Sequence, residues 1–222
     1  MSIHIEKIKA ILFDIDGTLS DTDDRMVHQV ARFVTPFFPD VNRKKAFARW
    51  LVMAVESPGN YLYNLADRLS LDSAMIRVMQ NMTKNRQHHP KKYWLIPGVE
   101  EMLQGLARYP MGIVSARDAQ TTMAFLRQFD LERFFDVIVT SQTCRYTKPF
   151  PDPLLNAAEE LKIPPENCLM VGDTTVDMKA AQLAGMQAAG VLCGFGREEE
   201  LLRAGANVIL PATDALLQLF VD

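Results

Sequence analysis

Short apolar segments alternate with helical patterns along the second half of this chain, and this alternation limits the fold more than any other feature. Five segments rich in β-branched residues read as strands, at 111–115, 135–141, 168–173, 187–192 and 207–210, and five with helical spacing lie among them, at 99–108, 119–129, 153–162, 175–184 and 198–204. Strands that are apolar throughout are typical of a sheet covered by helices on both faces. Repeated strand–helix units predict an α/β fold with a doubly wound parallel sheet.

The stretch "AILFDIDGTLSDT" at residues 10–22 adds one more apolar strand near the N-terminus. Residues 23–90 lack a convincing strand pattern and instead show four segments with apolar residues at helical spacing. We therefore expect a small helical bundle inserted after the first strand. The predicted domains are an α/β core at 1–21 and 95–222 and a helical cap at 22–94, with "LIPG" at 95–98 as a hinge.

Composition and charge exclude several classes of protein. The chain has 222 residues, of which 48% are apolar and 23% charged, as in globular proteins and unlike disordered ones. Its net charge of −3 gives no support to binding of nucleic acid or of a membrane surface. It has no signal-peptide pattern, no apolar run of about 18 residues and no metal-ligand spacing among its cysteines. We expect a cytoplasmic protein with reduced thiols, either a monomer or a homodimer.

Acidic side chains follow two of the predicted strands. Asp14 and Asp16 follow the first strand, and Asp173 and Asp177 lie at and after the end of the strand 168–173. Because ligands of an open parallel sheet bind at the carboxyl ends of its strands, these carboxylates are expected at one edge. Clustered carboxylates repel one another, and a divalent cation relieves that repulsion. Oxygen ligands without His or Cys favour Mg²⁺, so we predict a magnesium site at these four aspartates.

The spacing of Asp14 and Asp16 has a chemical consequence. Residues i and i+2 of an extended segment point to the same side, so both carboxylates can address one substrate atom, and Gly17 lets the chain turn away. Lys148, in the loop after the strand 135–141, adds a positive charge at the same edge. This set suits displacement at phosphorus, in which Asp14 attacks, Asp16 transfers the proton, and Lys148 and the metal neutralise the phosphoryl oxygens.

Four segments in order resemble the motifs of the haloacid dehalogenase (HAD) superfamily: "DIDGT", "VSAR", Lys148 within "TKPFPDP", and "GDTTVD". The match covers the predicted core nearly end to end. The helical insertion after the first motif is similar to the C1 cap of the branch that contains phosphoglycolate phosphatases. The resemblance implies a HAD-like Rossmannoid core and Mg²⁺-dependent hydrolysis of a small phosphate monoester.

The resemblance also implies residue roles. Asp14 would be the nucleophile that forms an aspartyl-phosphate, and Asp16 the general acid/base, whose backbone carbonyl also reaches the metal. Asp173 would ligate the metal directly, and Lys148 would pair with Asp14 and the phosphate. Asp177 would either ligate the metal, directly or through water, orient a neighbour, or stabilise the start of its helix. The expected phosphate-binding residues, with backbone N–H groups nearby, are Thr18, Ser115, Ala116, Arg117 and Lys148; a surface ion pair is the other interpretation of Arg117.

Three other activities of the same superfamily fit the sequence less well. Dehalogenases lack the second aspartate of the first motif, so Asp16 argues against that activity. Phosphomutases of the β-phosphoglucomutase type carry a His and then Ala-Trp-Lys in the cap, whereas Met26 stands near that His here and no such tripeptide follows. A phosphonatase would need a cap lysine, for which Lys44 or Lys45 could serve.

A phospho-accepting receiver module would bind Mg²⁺ without turnover. Such modules lack a long helical insertion after the first strand and an Asp two residues after the phospho-acceptor. We therefore expect a phosphatase whose partner is a small phosphorylated molecule. Phosphoglycolate, pyrophosphate, sugar phosphates and nucleoside monophosphates remain open as substrates, and the candidate specificity residues in the cap are Arg25, His28, Arg32 and Arg49.

Overall fold

The computed structural model describes residues 3–21 and 93–220, which belong to one compact unit. The predicted cap helices and every candidate specificity residue within them lie outside the described residues. In the part of the chain that is described, no helix is long and apolar enough to cross a bilayer. The three cysteines are free thiols, as the sequence predicts.

Within the described residues, six parallel strands form one sheet in the order β3-β2-β1-β4-β5-β6. The strands are β1 (Ala10–Phe13), β2 (Met111–Val114), β3 (Val137–Val139), β4 (Cys168–Gly172), β5 (Gln187–Val191) and β6 (Val208–Leu210). The strand order reverses at β1, which lies between β2 and β4. In sheets of this kind the ligand crevice lies outside the carboxyl ends of the strands at the point of reversal. The predicted α/β doubly wound sheet is confirmed.

Five α-helices connect these strands in the described part of the chain. They are α1 (Val99–Gly105), α2 (Ala119–Gln128), α3 (Asp152–Leu161), α4 (Thr175–Ala184) and α5 (Glu198–Arg203). Helix α2 begins at Asp118, whose carboxylate accepts a hydrogen bond from the Thr121 N–H at 2.7 Å. Helix α4 begins at a capping box formed by Thr174 and Asp177. These caps fix the loops between β2 and α2 and between β4 and α4, and both loops carry polar residues predicted for the site.

The sheet is covered on both faces. Ile11 and Phe13 of β1 belong to one apolar cluster with residues of α1 and α2, while Ala10 and Leu12 belong to another with residues of α3, α4 and α5. All four β1 residues are fully buried. The continuous apolar character of this strand therefore reflects burial on both sides, and β1 is a rigid support for whatever follows it.

Two predicted elements are shorter in the structure by two residues or more, and the sequence did not predict the short 3-10 helices. The helix expected at 99–108 ends at Gly105, and the strand expected at 135–141 covers only Val137–Val139. The ladder ends at Val139, and the Ser141 N–H donates to the carbonyl of Arg117, beyond the end of β2, at 2.9 Å. A 3-10 helix at Thr213–Leu219, which has no clear sequence pattern, packs on α1.

The segment leaving the core and the segment returning to it lie side by side. Ser20 forms an antiparallel bridge with Leu95, and the Asp21 N–H donates to the Trp94 carbonyl at 2.9 Å. The Ile96 N–H donates to the Leu19 carbonyl, also at 2.9 Å. The start of the predicted hinge at 95–98 is thus hydrogen-bonded to the turn that follows β1.

Candidate active site

Asp14 is fixed by the sheet. It follows β1 directly, and its N–H donates to the Val171 carbonyl of β4 at 3.0 Å, so the ladder continues to this residue. The chain then bends at Ile15 and turns at Gly17, whose φ of 75° is disfavoured for residues with a side chain. Asp16 lies directly before this turn, where it forms an isolated bridge with Ser20.

Lys148 contacts two buried carboxylates. Its Nζ donates to Asp14 Oδ1 at 2.7 Å and to Asp177 Oδ1 at 2.6 Å, and its side chain is only 5% exposed. Burial alone would lower the pKa of Lys148, but the attraction of the two carboxylates outweighs this effect and raises it. The ammonium group therefore remains charged in the site.

Asp177 combines a helix cap with a contact to Lys148. Its Oδ2 accepts hydrogen bonds from the Thr174 N–H at 3.1 Å and the Thr174 hydroxyl at 2.5 Å, which stabilises the start of α4. Its Oδ1 accepts the bond from Lys148. The helix cap thus holds the carboxylate where it also joins the buried cluster.

Three carboxylates in this cluster could hold a cation. Asp14, Asp173 and Asp177 are buried, and each offers an oxygen within 4.8 Å of the other two. Since Lys148 supplies one positive charge, two negative charges remain uncompensated, and a hard divalent cation fits both the charge and the oxygen donors. The side chain of Asp16 is not part of this group, so any role of Asp16 at the metal would fall to its backbone carbonyl.

The carboxylates destabilise one another in the absence of a cation. Burial, together with repulsion from Asp177 and Asp16, raises the pKa of Asp14 from 3.8 to about 7 despite the attraction of Lys148. Burial, and then repulsion from Asp177 and Asp14, raises the pKa of Asp173 well above its ordinary value. A bound cation would remove this penalty.

We expect the free energy of unfolding of the metal-free protein to fall, relative to that of an Asp14→Asn variant, as the pH rises from about 4 to about 7. Because the pKa of Asp14 is about 7 in the folded state and 3.8 ordinarily, the folded state binds the proton more tightly. This contribution to stability is complete below about pH 4 and is lost as the pH rises through about 7, with a magnitude on the order of 4 kcal/mol. Urea unfolding of both proteins in chelator would measure it, and a pH-independent difference would contradict it.

Arg117 holds the carboxylate of Asp16. Its Nε lies 2.8 Å from Oδ2 and its Nη2 2.5 Å from Oδ1, a bidentate pair. The guanidinium lies over the rings of Tyr93 and Phe125, 5.0 and 5.4 Å from their centroids. The Arg117 side chain is 11% exposed and that of Asp16 34% exposed. Arg117 thus forms an ion pair, but the pair lies in the site and not on the open surface.

The other predicted phosphate-binding residues lie in two places. Ser115 is buried just beyond β2, where its hydroxyl accepts a hydrogen bond from the Arg117 N–H at 3.2 Å, and Ala116 between them is exposed. Thr18 is fully buried, with its hydroxyl 3.5 Å from Asp173 Oδ1. Ser115 and Ala116 therefore lie at the end of β2, whereas Thr18 lies beside a candidate metal ligand.

Sequence reasoning missed the loop after β5. The Phe195 N–H donates to Asp173 Oδ2 at 2.8 Å, and the Gly196 N–H donates to the Asp173 carbonyl at 2.9 Å. This loop follows the strand next to β4, so it reaches the same edge of the sheet. Gly194 and Gly196, two glycines directly after a predicted strand, are the pattern that could have identified it.

Comparison with known proteins places this architecture in one family. A family model described as haloacid dehalogenase-like hydrolase matches residues 11–191. The pyrophosphatase PpaX of Bacillus cereus is 29% identical over 187 residues, which are 83% of each chain. A haloacid dehalogenase-like family hydrolase from Streptococcus pneumoniae matches 97% of this chain and 100% of its own, with a TM-score of 0.67 and 23% identity. A hydrolase from Pseudomonas syringae matches 96% of this chain and 98% of its own, with a TM-score of 0.66 and 24% identity. The family expected from the four motifs is confirmed: this chain belongs to the haloacid dehalogenase-like hydrolases.

Proposed function

We propose that this hydrolase is a Mg²⁺-dependent phosphatase that cleaves a small phosphate monoester through an aspartyl-phosphate on Asp14. A phosphoglycolate-like compound, a sugar phosphate, a nucleotide and pyrophosphate are the substrate classes considered. The observation that carries the proposal is the buried cluster in which Lys148 bridges Asp14 and Asp177 beside Asp173. A fixed carboxylate, a fixed ammonium and a cation site together supply what phosphoryl transfer requires, which is positioning and compensation of charge.

Asp14 is suited to act as the nucleophile. Its backbone is held by the sheet, and one carboxylate oxygen is held by Lys148. Attack of the carboxylate on phosphorus forms the acyl phosphate while the bond from phosphorus to the leaving-group oxygen breaks. When bound, the cation would keep Asp14 ionised at neutral pH and would neutralise phosphoryl oxygens.

Asp16 is suited to move the proton. Its side chain is 34% exposed, against 10% for Asp14, and it lies on the turn that follows β1. In the first half-reaction Asp16 would have to be in its protonated form, which would donate its proton to the leaving-group oxygen; the bidentate pair with Arg117 belongs to the ionised form that results. In the second it would remove a proton from the water that attacks the acyl phosphate, which returns both aspartates to their initial state. Arg117 would hold the carboxylate in position between these steps.

We expect Arg117→Lys to lower kcat by about tenfold or more while leaving the Mg²⁺ Kd little changed. A lysine cannot form the two parallel bonds to Asp16 and stacks less well on aromatic rings, and a loss of about 1.4 kcal/mol corresponds to that factor. Steady-state kinetics and calorimetry would measure the two quantities. Arg127→Lys is the matched control, because Arg127 pairs with Glu132 on the surface of α2 with its side chain 69% exposed. Equal kcat in both variants would contradict a role for Arg117.

Phosphate release from a panel of small phosphomonoesters and pyrophosphate, with and without Mg²⁺, tests the proposed function. Since the relative named above is a pyrophosphatase, pyrophosphate belongs in the first round. Release that depends on Mg²⁺ and is absent from Asp14→Asn would support the proposal. Movement of phosphate within a sugar phosphate without release would favour a phosphomutase. Binding of Mg²⁺ with no turnover of any compound would favour a receiver module.

A further inference from the structure

The loop at residues 193–197, which follows β5, donates hydrogen bonds to both the side chain and the backbone of Asp173. The Phe195 N–H donates to Asp173 Oδ2 at 2.8 Å, and the Gly196 N–H donates to the Asp173 carbonyl at 2.9 Å. Asp173 itself is fully buried. Two nearby N–H groups of one loop therefore restrict both the position of this aspartate and the orientation of its carboxylate.

Gly194 has no space for a side chain, and the carboxylate of Asp173 is the reason. A Cβ at position 194 would lie 2.1 Å from Asp173 Oδ2 and 2.5 Å from its Cγ. Real Cβ atoms essentially never come within 3.0 Å of another heavy atom, so the carboxylate or the loop would have to move by about 1 Å, a displacement that matters in a catalytic site. The backbone of Gly194 is outside the left-handed region, so its conformation does not by itself demand glycine.

Cys193 ties this loop to the turn after β1. Its Sγ lies 3.4 Å from the Gly17 carbonyl oxygen and 3.4 Å from the Thr213 hydroxyl. The Thr213 hydroxyl in turn donates to the Thr18 carbonyl at 2.5 Å. Burial raises the pKa of Cys193, which keeps the thiol protonated and able to donate. The loop that holds Asp173 is thus anchored to the turn that carries Asp16.

We propose that residues 193–197 form a positioning loop for the divalent cation. The Phe195 N–H donates to Asp173 Oδ2 at 2.8 Å, whereas among the described residues Oδ1 has only the long 3.5 Å contact with the Thr18 hydroxyl, so Oδ1 is the oxygen that would face the cation. The missing side chain at Gly194 permits this orientation. The proposal rests on the proposed function, because it takes Asp173 as a metal ligand. Hydrogen bonds to a ligating carboxylate fix its orientation, and losing such contacts typically weakens metal binding by about 10–100-fold.

Calorimetric titration of Mg²⁺ into the metal-free protein tests the loop without reference to catalysis. We expect Gly194→Ala to raise the Mg²⁺ Kd by about tenfold or more. Gly105→Ala is the matched control, because its Cβ would meet only Leu217, 2.7 Å from Cδ1, where α1 packs on the C-terminal 3-10 helix. That variant should change the melting temperature and leave the Kd unaltered. A Kd for Gly194→Ala equal to that of the unaltered protein would overturn the proposal.

A second measurement uses the unaltered chain and stays decisive even where Gly194→Ala does not fold. In amide NMR spectra, the Phe195 N–H resonance should shift when Mg²⁺ saturates the site, because this N–H is bonded to the carboxylate of Asp173. A Phe195 amide resonance that does not shift with Mg²⁺, while the Asp14 amide resonance does shift, would overturn the proposal. Failure of the unaltered protein to bind Mg²⁺ would instead contradict the proposed function, so the two failures are distinguishable.

Discussion

We expect Asp14→Asn to abolish turnover, with kcat lowered by on the order of 10⁴-fold or more, in a protein that remains folded. The amide oxygen is a poor nucleophile, so the acyl phosphate cannot form at this position. The fold survives because Asn has a similar volume and because the change removes one of three mutually repelling buried carboxylates. Lys148 keeps a partner in Asp177.

A trapping experiment would measure this loss directly. Rapid acid quenching with radiolabelled substrate should give labelled protein from the unaltered chain and none from Asp14→Asn. The matched control is Asp130→Asn, because Asp130 lies on the surface and Asn tolerates its φ of 54°. That control should be labelled and should turn over normally. Label retained in Asp14→Asn would mean that another residue is the nucleophile.

The sequence predicts which residues of the site lie at the same edge of the sheet, because this follows from their positions after the parallel strands. Asp14, Lys148 and Asp173 each follow a strand, and parallel strands bring their carboxyl ends to one edge whatever the side chains are. Their convergence therefore needed only the strand assignment. The contact between Lys148 and Asp14 joins residues 134 positions apart, yet the topology alone brings them close.

The parts that could not be predicted depend on distances of a few ångström. The pairing of Arg117 with Asp16 depends on the position of the guanidinium, which lies over the rings of Tyr93 and Phe125 and donates to the Asp16 carboxylate. From the sequence, a substrate contact and a surface ion pair were equally reasonable. Gly194 is visible in the sequence, but what a side chain there would touch is decided by the path of another loop. After Asp16, Gly17 begins a turn in which three N–H groups converge on the Ile15 carbonyl, an arrangement that residue spacing alone does not specify.

Lys148→Ala should lower kcat/KM by a factor on the order of 10² or more and should also destabilise the metal-free protein. Loss of a preorganised positive charge beside the phosphoryl group costs about 3 kcal/mol in the transition state. Removal of one partner from a buried ion pair costs about 3–5 kcal/mol of folding free energy, because the other charge is left uncompensated. Kinetics at saturating Mg²⁺ and urea unfolding in chelator would measure the two effects. A small change in both would mean that Lys148 contributes little to the site.

The two effects of Lys148→Ala can be separated by adding Asp177→Asn. Asp177 Oδ1 loses its partner when Lys148 is removed, so neutralising Asp177 should recover much of the lost stability, although its Oδ2 also caps α4. Catalysis should not recover, because the positive charge beside Asp14 is still missing and Asp177→Asn also removes a candidate cation ligand. A double variant that regained neither stability nor activity would mean that Lys148 acts through packing of its side chain. Recovery of stability alone would show that the charge of Lys148 compensates buried carboxylates in the resting protein, while the kinetics of the single variant Lys148→Ala measure what that charge contributes to the reaction.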